Sequence, residues 1–261
     1  MKIITILTDF GTKDPYVGIM KGVMLSTATE LAFDLQIVDI THDVEPQDIR
    51  EAAFLIKEYY TFFPPGTVHV AVVDPGVGTK RKPIILCKNG HFFVGPDNGL
   101  FTLLLDEDFE VYEIKNKDFM LKNLSYTFHG RDIFAPSAVY LAKGFHPSSF
   151  GDVVSNPVIE SSCFPDIIND VLTGEVIRFD RFGNAITNIS YELFEEFTGR
   201  GSFKIKLLHM VFTKLNRTYM DDQFTCLVGS SGYLEFALYK GSIRDRLNIK
   251  KGEKITVEVI A

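Results

Sequence analysis

The hydrophobic positions of "KIITILTDF" (residues 2–10) run almost without a break and stop at Asp9, the pattern of a short strand buried on both faces. In the following "DPYVGIMKGVMLSTATE", Val17, Met20, Val23 and Met24 recur at helical spacing, and "LQIVDITHDV" predicts a second strand. "PQDIREAAFLIKEYYTFF" predicts a helix with Pro46 at its start and Ala52, Phe54, Leu55 and Tyr59 turned inward, and "GTVHVAVVDPGVG" predicts a third strand. Strands and helices that alternate in this way imply a mainly parallel sheet covered by helices. "KPIILCKNGHFFVGPDNG" then changes the rhythm to a hairpin around Asn89-Gly90, and "RDIFAPSAVYLAKG" predicts a further helix ending at Gly144.

From about Pro147 to Asp170 the chain is irregular and rich in Ser, Pro and Asp, as expected of a domain linker. Beyond it, "TGEVIRFDRFGNAITNIS", "GSFKIKLL", "FTCLVGSSGYLEFALYKGS" and "GEKITVEVI" are short alternating segments separated by Gly-containing turns, which suggests a small β-barrel or sandwich. The expected fold class is an α/β N-terminal domain over residues 1–160, with a mainly parallel, helix-covered sheet, followed by a small all-β, barrel-like C-terminal domain over residues 170–261. No internal repeat or low-complexity tract is visible.

At 261 residues, 46% of them hydrophobic and 23% charged, the chain has the composition of a soluble globular protein with a substantial core. A net charge of −7 and the lack of a Lys/Arg cluster argue against a nucleic-acid surface. Cys87, Cys163 and Cys226 are odd in number and lack CxxC spacing, so neither a disulfide framework nor a zinc site is indicated. No apolar run approaches the length needed to span a bilayer, and the expected location is cytoplasmic.

The chemistry sits where strands end. Thr8-Asp9 follows the first predicted strand, Asp39 to His42 the second, and Asp74-Pro75-Gly76 the third. In a parallel sheet these ends share one edge, where such sheets bind ligands. One such aspartate is most simply a turn former or helix cap, whereas three together with His42 favour a site. The Asp-Phe-Gly of "TDFG" is not a kinase motif, since only eight residues precede Asp9. Aspartates with His42 and His129 are also the donor types of a hydrolytic metal centre, but no HxH, HExxH or DxD spacing supports one. Arg81 and Arg131 suit a carboxylate held by ion pairing better, although on residues alone Arg81 reads as an exposed cation of "TKRKP". "DPGVGTKRK" lacks the Gly-Lys-Ser/Thr of a phosphate loop.

Taken in order, "LTDFGTKDPYVGIMKGV", "VDITHDVEPQDI", "VVDPGVGTKR", "VGPDNGLF", "FHGRDIFAPSA", "DRFGNAITNI" and "SSGYLEFA" resemble the S-adenosyl-L-methionine hydroxide adenosyltransferases, a family related to the fluorinase and chlorinase enzymes. The resemblance implies hydrolysis of S-adenosyl-L-methionine to adenosine and L-methionine, by attack of water or hydroxide on ribose C5′. It implies no cofactor and no metal. It also implies a homotrimer with active sites between subunits. By motif position, Asp74 and His129 would hold and polarise the water and Arg81 would fix the carboxylate. Asp9 would accept the ribose hydroxyls, with Phe10 as wall. Asp180, Asn184 and Ser230 would grip the methionine amine and carboxylate, and Phe182 and Tyr219 would face adenine. The halogenase branch carries Tyr in place of Asp74, Ser in place of Gly130 and Trp in place of Gln47, with a long insertion that is missing here. A halogenase and a non-catalytic adenosylmethionine-binding protein are the competing readings.

Overall fold

In the computed structural model, which describes residues 2–199 and 201–260, the chain forms two compact units, Met1–Glu160 and Ser161–Ala261. The first is built on β1 (Lys2–Thr8), α1 (Tyr16–Glu30), β2 (Leu35–Thr41), α2 (Ile49–Tyr59), β3 (Val68–Val72), β4 (Pro83–Lys88), β5 (His91–Pro96), β6 (Phe109–Glu113) and α3 (Ala135–Lys143). The sheet order is β2-β1-β3-β5-β4-β6. The first four strands are mutually parallel and β4 runs against both β5 and β6. The parallel half is the part that carries the strand-end aspartates.

Alternation along each strand divides the core. Ile4, Ile6, Val70 and Val72 pack with Met20 and Met24 of α1 and Ala138 of α3, whereas Leu7, Ala71, Val73 and Phe93 pack with Ala52 and Ile56 of α2 on the other face. A buried polar row crosses that second face, where Thr5 Oγ1 lies 2.8 Å from His69 Nδ1 and His69 Nε2 lies 3.1 Å from His91 Nδ1. The hairpin expected at Asn89-Gly90 is present, with both residues at positive φ (50° and 76°). The helix expected to start at Pro46 begins at Ile49 instead. Asp48 caps it by accepting a 2.9 Å hydrogen bond from the Glu51 N–H, and Gln47, at φ 69°, cannot continue a helix backward. Asp39 lies inside β2 rather than beyond its end.

The second unit contains β7 (Asp166–Ile168), β8 (Val171–Phe179), β9 (Ala185–Ser190), α4 (Tyr191–Thr198), β10 (Phe203–Leu207), β11 (Met210–Phe212), β12 (Phe224–Val228), β13 (Tyr233–Leu238), α5 (Ile243–Leu247) and β14 (Lys254–Val259). Its strands follow the order β11-β10-β14-β8-β9-β13-β12, with β7 added beside β8 and every pairing antiparallel. β8 pairs with β14 through its first half and with β9 through its second. A bridge from Asn216 to Leu227 brings the chain leaving β11 back to β12 and nearly closes the barrel. Closure of this kind leaves little unpaired edge, and the interior fills with Leu172, Val176, Phe194, Ile205, Leu234, Phe236 and Val257.

Candidate active site

Asp74 leaves the end of β3 and enters a tight loop. Val77 N–H donates to the Asp74 carbonyl and Thr79 N–H to that of Gly76, so the chain doubles back and returns Arg81 to Asp74. Arg81 Nε donates to Asp74 Oδ1 at 2.9 Å and to Oδ2 at 3.0 Å, and Nη2 also donates to Oδ2. The side chains are almost wholly buried, 4% exposed for Asp74 and 7% for Arg81, and the guanidinium lies over Phe134 with 5.3 Å to the ring centroid. The exposed cation read from the sequence is thus a buried bidentate partner.

Gly78 lets this loop lie against the segment before His129. Its φ is 76°, and a Cβ there would stand 2.3 Å from the Tyr126 carbonyl oxygen. Its approach brings His129 Nδ1 within 2.8 Å of Arg81 Nη2. A guanidinium only donates, so Nδ1 accepts, and the proton of the neutral ring sits on Nε2. Burial and the adjacent Arg81 charge push the His129 pKa below its ordinary 6.5. Immediately after His129 the chain makes a π-helical turn over Gly130–Phe134 before α3, a distortion frequent at functional sites.

Asp9 accepts a 2.8 Å hydrogen bond from the Gln47 N–H. Burial raises its carboxyl above the usual 3.8, with the Gln47 bond opposing the shift and the charge of Asp74 adding to it. Asp39 does not join this pair, since it is bound by Lys21 at 2.5 Å and lies 3.1 Å from His42 Nε2. His42 Nδ1 is 2.9 Å from Thr8 Oγ1, and its carbonyl accepts from the Gly11 N–H at 2.8 Å, so His42 braces the turn that carries Asp9. Beside these residues lies a cavity of about 300 Å³ lined by Phe10, Tyr16, Ser125, Thr127, Phe128 and Arg131. Phe10, Tyr16 and Phe128 meet edge to face, with centroids 5.3–6.1 Å apart. Tyr16 and Phe128 escaped the sequence reading because aromatics in a chain with 23 Phe look like core.

Among the described residues, Glu45, Asp48 and Glu51 have the acidic makeup of a cation site. Asp48 is the α2 cap, and the Glu45 N–H reaches Glu51 Oε2 at 3.4 Å, so the group works as a helix start.

In the second unit, Asp180 organises the turn that follows β8. Its Oδ1 accepts from the Phe182 and Asn184 N–H groups at 2.9 and 2.8 Å, and its Oδ2 accepts from Asn184 Nδ2 at 2.9 Å. Gly183, at φ 82°, leaves no room for a Cβ, which would fall 2.1 Å from Ser242 Oγ. The turn buries Asn184 and leaves Phe182 75% exposed. Tyr219 is 44% exposed and donates its hydroxyl to Glu235 Oε1 at 2.9 Å. Burial, then that hydrogen bond and the charges of Glu235 and Asp180, push the phenol up to about 12. Ser230 is exposed on the turn between β12 and β13. Glu235 was missed, since an acid in the alternating "YLEFAL" reads as an ordinary outward position.

Fold and site together define an α/β protein with a buried acid–arginine pair joined to a half-buried histidine at the carboxyl edge of its parallel strands, carrying a C-terminal antiparallel barrel. The chain belongs to the SAM hydroxide adenosyltransferase family, whose N-terminal domain model matches residues 4–151 and whose C-terminal domain model matches residues 174–256. It is 37% identical over 264 residues to an (R)-S-adenosyl-L-methionine hydrolase from Thermus thermophilus, covering 97% of this chain and 98% of that one. A fluorinase from an Actinoplanes species is more distant, at 27% identity over 293 residues with 98% and 97% of the two chains covered. The crystal structure of an uncharacterized conserved protein from Thermotoga maritima superposes with a TM-score of 0.86 at 35% identity, covering 98% of this chain and 99% of that one.

Proposed function

We propose that the protein hydrolyses S-adenosyl-L-methionine to adenosine and L-methionine. Besides its family, the observation that carries this reading is the chain of contacts from Asp74 through Arg81 to His129, a buried carboxylate and a ring N–H in one rigid unit. Water oxygen forms a bond to ribose C5′ as the C5′–S bond breaks. The electron pair of that bond neutralises the sulfonium, so the methionine thioether leaves without an added proton. The water's proton is what the site must handle. His129 Nδ1 is occupied by Arg81 and Nε2 already carries hydrogen, so the ring serves as a donor to the water oxygen. Asp74 is the acceptor of the proton, which then passes to solvent. Arg81 holds both groups in place.

Asp9 is assigned to the ribose diol with Phe10 as its wall, Asp180, Asn184 and Ser230 to the methionine end, and Phe182 and Tyr219 to adenine. Assembly as a homotrimer belongs to the same proposal and is checked by mass in solution. Halide attack is disfavoured because the carboxylate of Asp74 would repel an anion at the point of attack.

The test is incubation of the pure protein with S-adenosyl-L-methionine in ¹⁸O-water, with and without chloride. Adenosine labelled at its 5′ oxygen, together with methionine, is expected. Unlabelled adenosine, or 5′-chloro-5′-deoxyadenosine as the main product, would overturn the reading.

A further inference from the structure

Glu235 is only 5% exposed, yet it lies on the side of β13 facing away from the barrel core. Its neighbours Leu234 and Phe236 are the ones that face inward. Its cross-strand partners are the apolar Leu227 and Ile186. The burial therefore comes from chain laid over the outer face, and two such pieces touch its carboxylate. One is the loop bearing Tyr219, whose hydroxyl donates to Oε1 at 2.9 Å. The other is the turn bearing Ser230, where Gly229 comes so near that a Cβ would stand 2.4 Å from Oε2.

Both pieces are also tied near their bases. Asp221 accepts from the Arg217 and Thr218 N–H groups and from the Thr218 hydroxyl, and Asn216 reaches Asp222 at 2.7 Å. In the turn, Gly229 N–H donates to the Tyr233 carbonyl and Gly232 N–H to that of Gly229. These bonds set the ends of the segments. The plane of the Tyr219 ring is set by its hydroxyl, because an exposed ring anchored at the backbone alone keeps its side-chain rotation.

We propose that Glu235 is a positioning residue for substrate recognition, whose buried carboxylate holds the Tyr219 ring as a wall for the purine and seats the turn that presents Ser230. This rests on the reading of Tyr219 as an adenine-facing residue. Glu235 touches no reacting atom, so its loss weakens binding and leaves the chemical step in place. The rise of the Tyr219 phenol to about 12 keeps the hydroxyl a donor through the neutral range.

The experiment measures kcat and KM for S-adenosyl-L-methionine, and Kd for adenosine by calorimetry, in Glu235→Ala, Glu235→Gln, Tyr219→Phe, Gly229→Ala and the Tyr219→Phe/Glu235→Ala double variant. Glu235→Ala and Tyr219→Phe should each raise KM and Kd by roughly threefold to tenfold, the range of one hydrogen bond, with kcat held within about twofold. Glu235→Gln keeps an oxygen that accepts from Tyr219 and should recover most of the affinity, which a purely electrostatic role would not allow. Gly229→Ala retains the charge but displaces the carboxylate and should weaken binding. The double variant should be no worse than the poorer single one. Unchanged affinity in Glu235→Ala, additive losses in the double variant, or a fall in kcat at constant KM would overturn the proposal. If Glu235→Ala does not fold, unchanged affinity in both Tyr219→Phe and Gly229→Ala does so. A wild-type protein that neither turns over S-adenosyl-L-methionine nor binds adenosine defeats the functional reading itself, whereas an active wild type with indifferent variants defeats this inference alone.

Discussion

The candidate groups of the two units are held in opposite ways. In the first, Asp74, Arg81 and His129 are charged or polar side chains bonded to one another, with the Asp74 and Arg81 side chains buried and His129 half-buried. In the second, Asp180 and Asn184 satisfy their own turn, while Phe182 and Tyr219 present exposed rings. Buried charge must be paired, because removing one partner leaves the other uncompensated. A pair set on the end of a central strand also cannot wander, which suits bond making. Recognition tolerates loops, since a ring or amide on a braced turn needs to match only the ligand's surface. The difference separates a unit suited to chemistry from one suited to affinity.

The strongest way to break that division is to exchange single atoms. Asp74→Asn should lower kcat by about 10²–10⁴, the range of a lost general base, with little change in KM. Asn184→Ala should act mainly on KM. Steady-state kinetics on the two variants decide the matter, and equal losses of kcat and affinity in Asp74→Asn would erase the distinction.

Backbone strain sharpens it. Gly78→Ala meets the Tyr126 carbonyl at 2.3 Å and Gly183→Ala meets Ser242 Oγ at 2.1 Å, both at positive φ. Each is expected to destabilise the protein by about 1–3 kcal/mol in denaturant unfolding. Gly78→Ala should also reduce kcat, whereas Gly183→Ala should raise KM.

Acid should loosen the first unit before the second. Burial pulls the His69 pKa from 6.5 down to about 3, and His91 is lowered for the same reason. The unfolded chain therefore binds protons that the folded one refuses. The contribution of His69 is complete above pH 6.5 and is lost as the pH falls toward 3, amounting to about 2 kcal/mol at pH 5. Hydrogen exchange at pH 5 should show protection falling in β1, β3 and β5, while β12 and β13 of the second unit, whose single histidine (His209) is exposed in the turn between β10 and β11, hold theirs. Uniform loss across both units would refute this origin. The lowered His129 pKa likewise keeps that ring neutral below pH 6.5, so the acid limb of kcat should lie on the acid side of that value.

The smallest effect is expected from a chelator. Arg81 pairs with the Asp74 carboxylate and its positive charge repels a cation there, so activity should change by less than about twofold. Loss of activity that zinc or magnesium restores would assign the carboxylates to a metal instead.

Period and punctuation made much of the architecture readable. The buried strands at residues 2–8 and 68–72, the Asn89-Gly90 hairpin and the helix ending at Gly144 all follow from local preference, which depends on nearest neighbours in the chain. Strand ends also announced Asp9 and Asp74, because a carboxylate closing an apolar run stands out against it. The start of α2 was misread, since Pro46 favours a first helical turn while the bonds of Asp48 and the positive φ of Gln47 place it three residues later. Arg81 read as a surface cation, and only the doubled-back loop, made possible by the close approach at Gly78, turned it into the link between Asp74 and His129. Glu235 was silent for the same reason. Strand alternation places it outward, and what covers it comes from chain several to sixteen residues away. Sequence determined which segments form and where polar chemistry interrupts them. Burial and pairing of the charged groups were decided by the tertiary structure, because both depend on residues that meet only when distant segments pack.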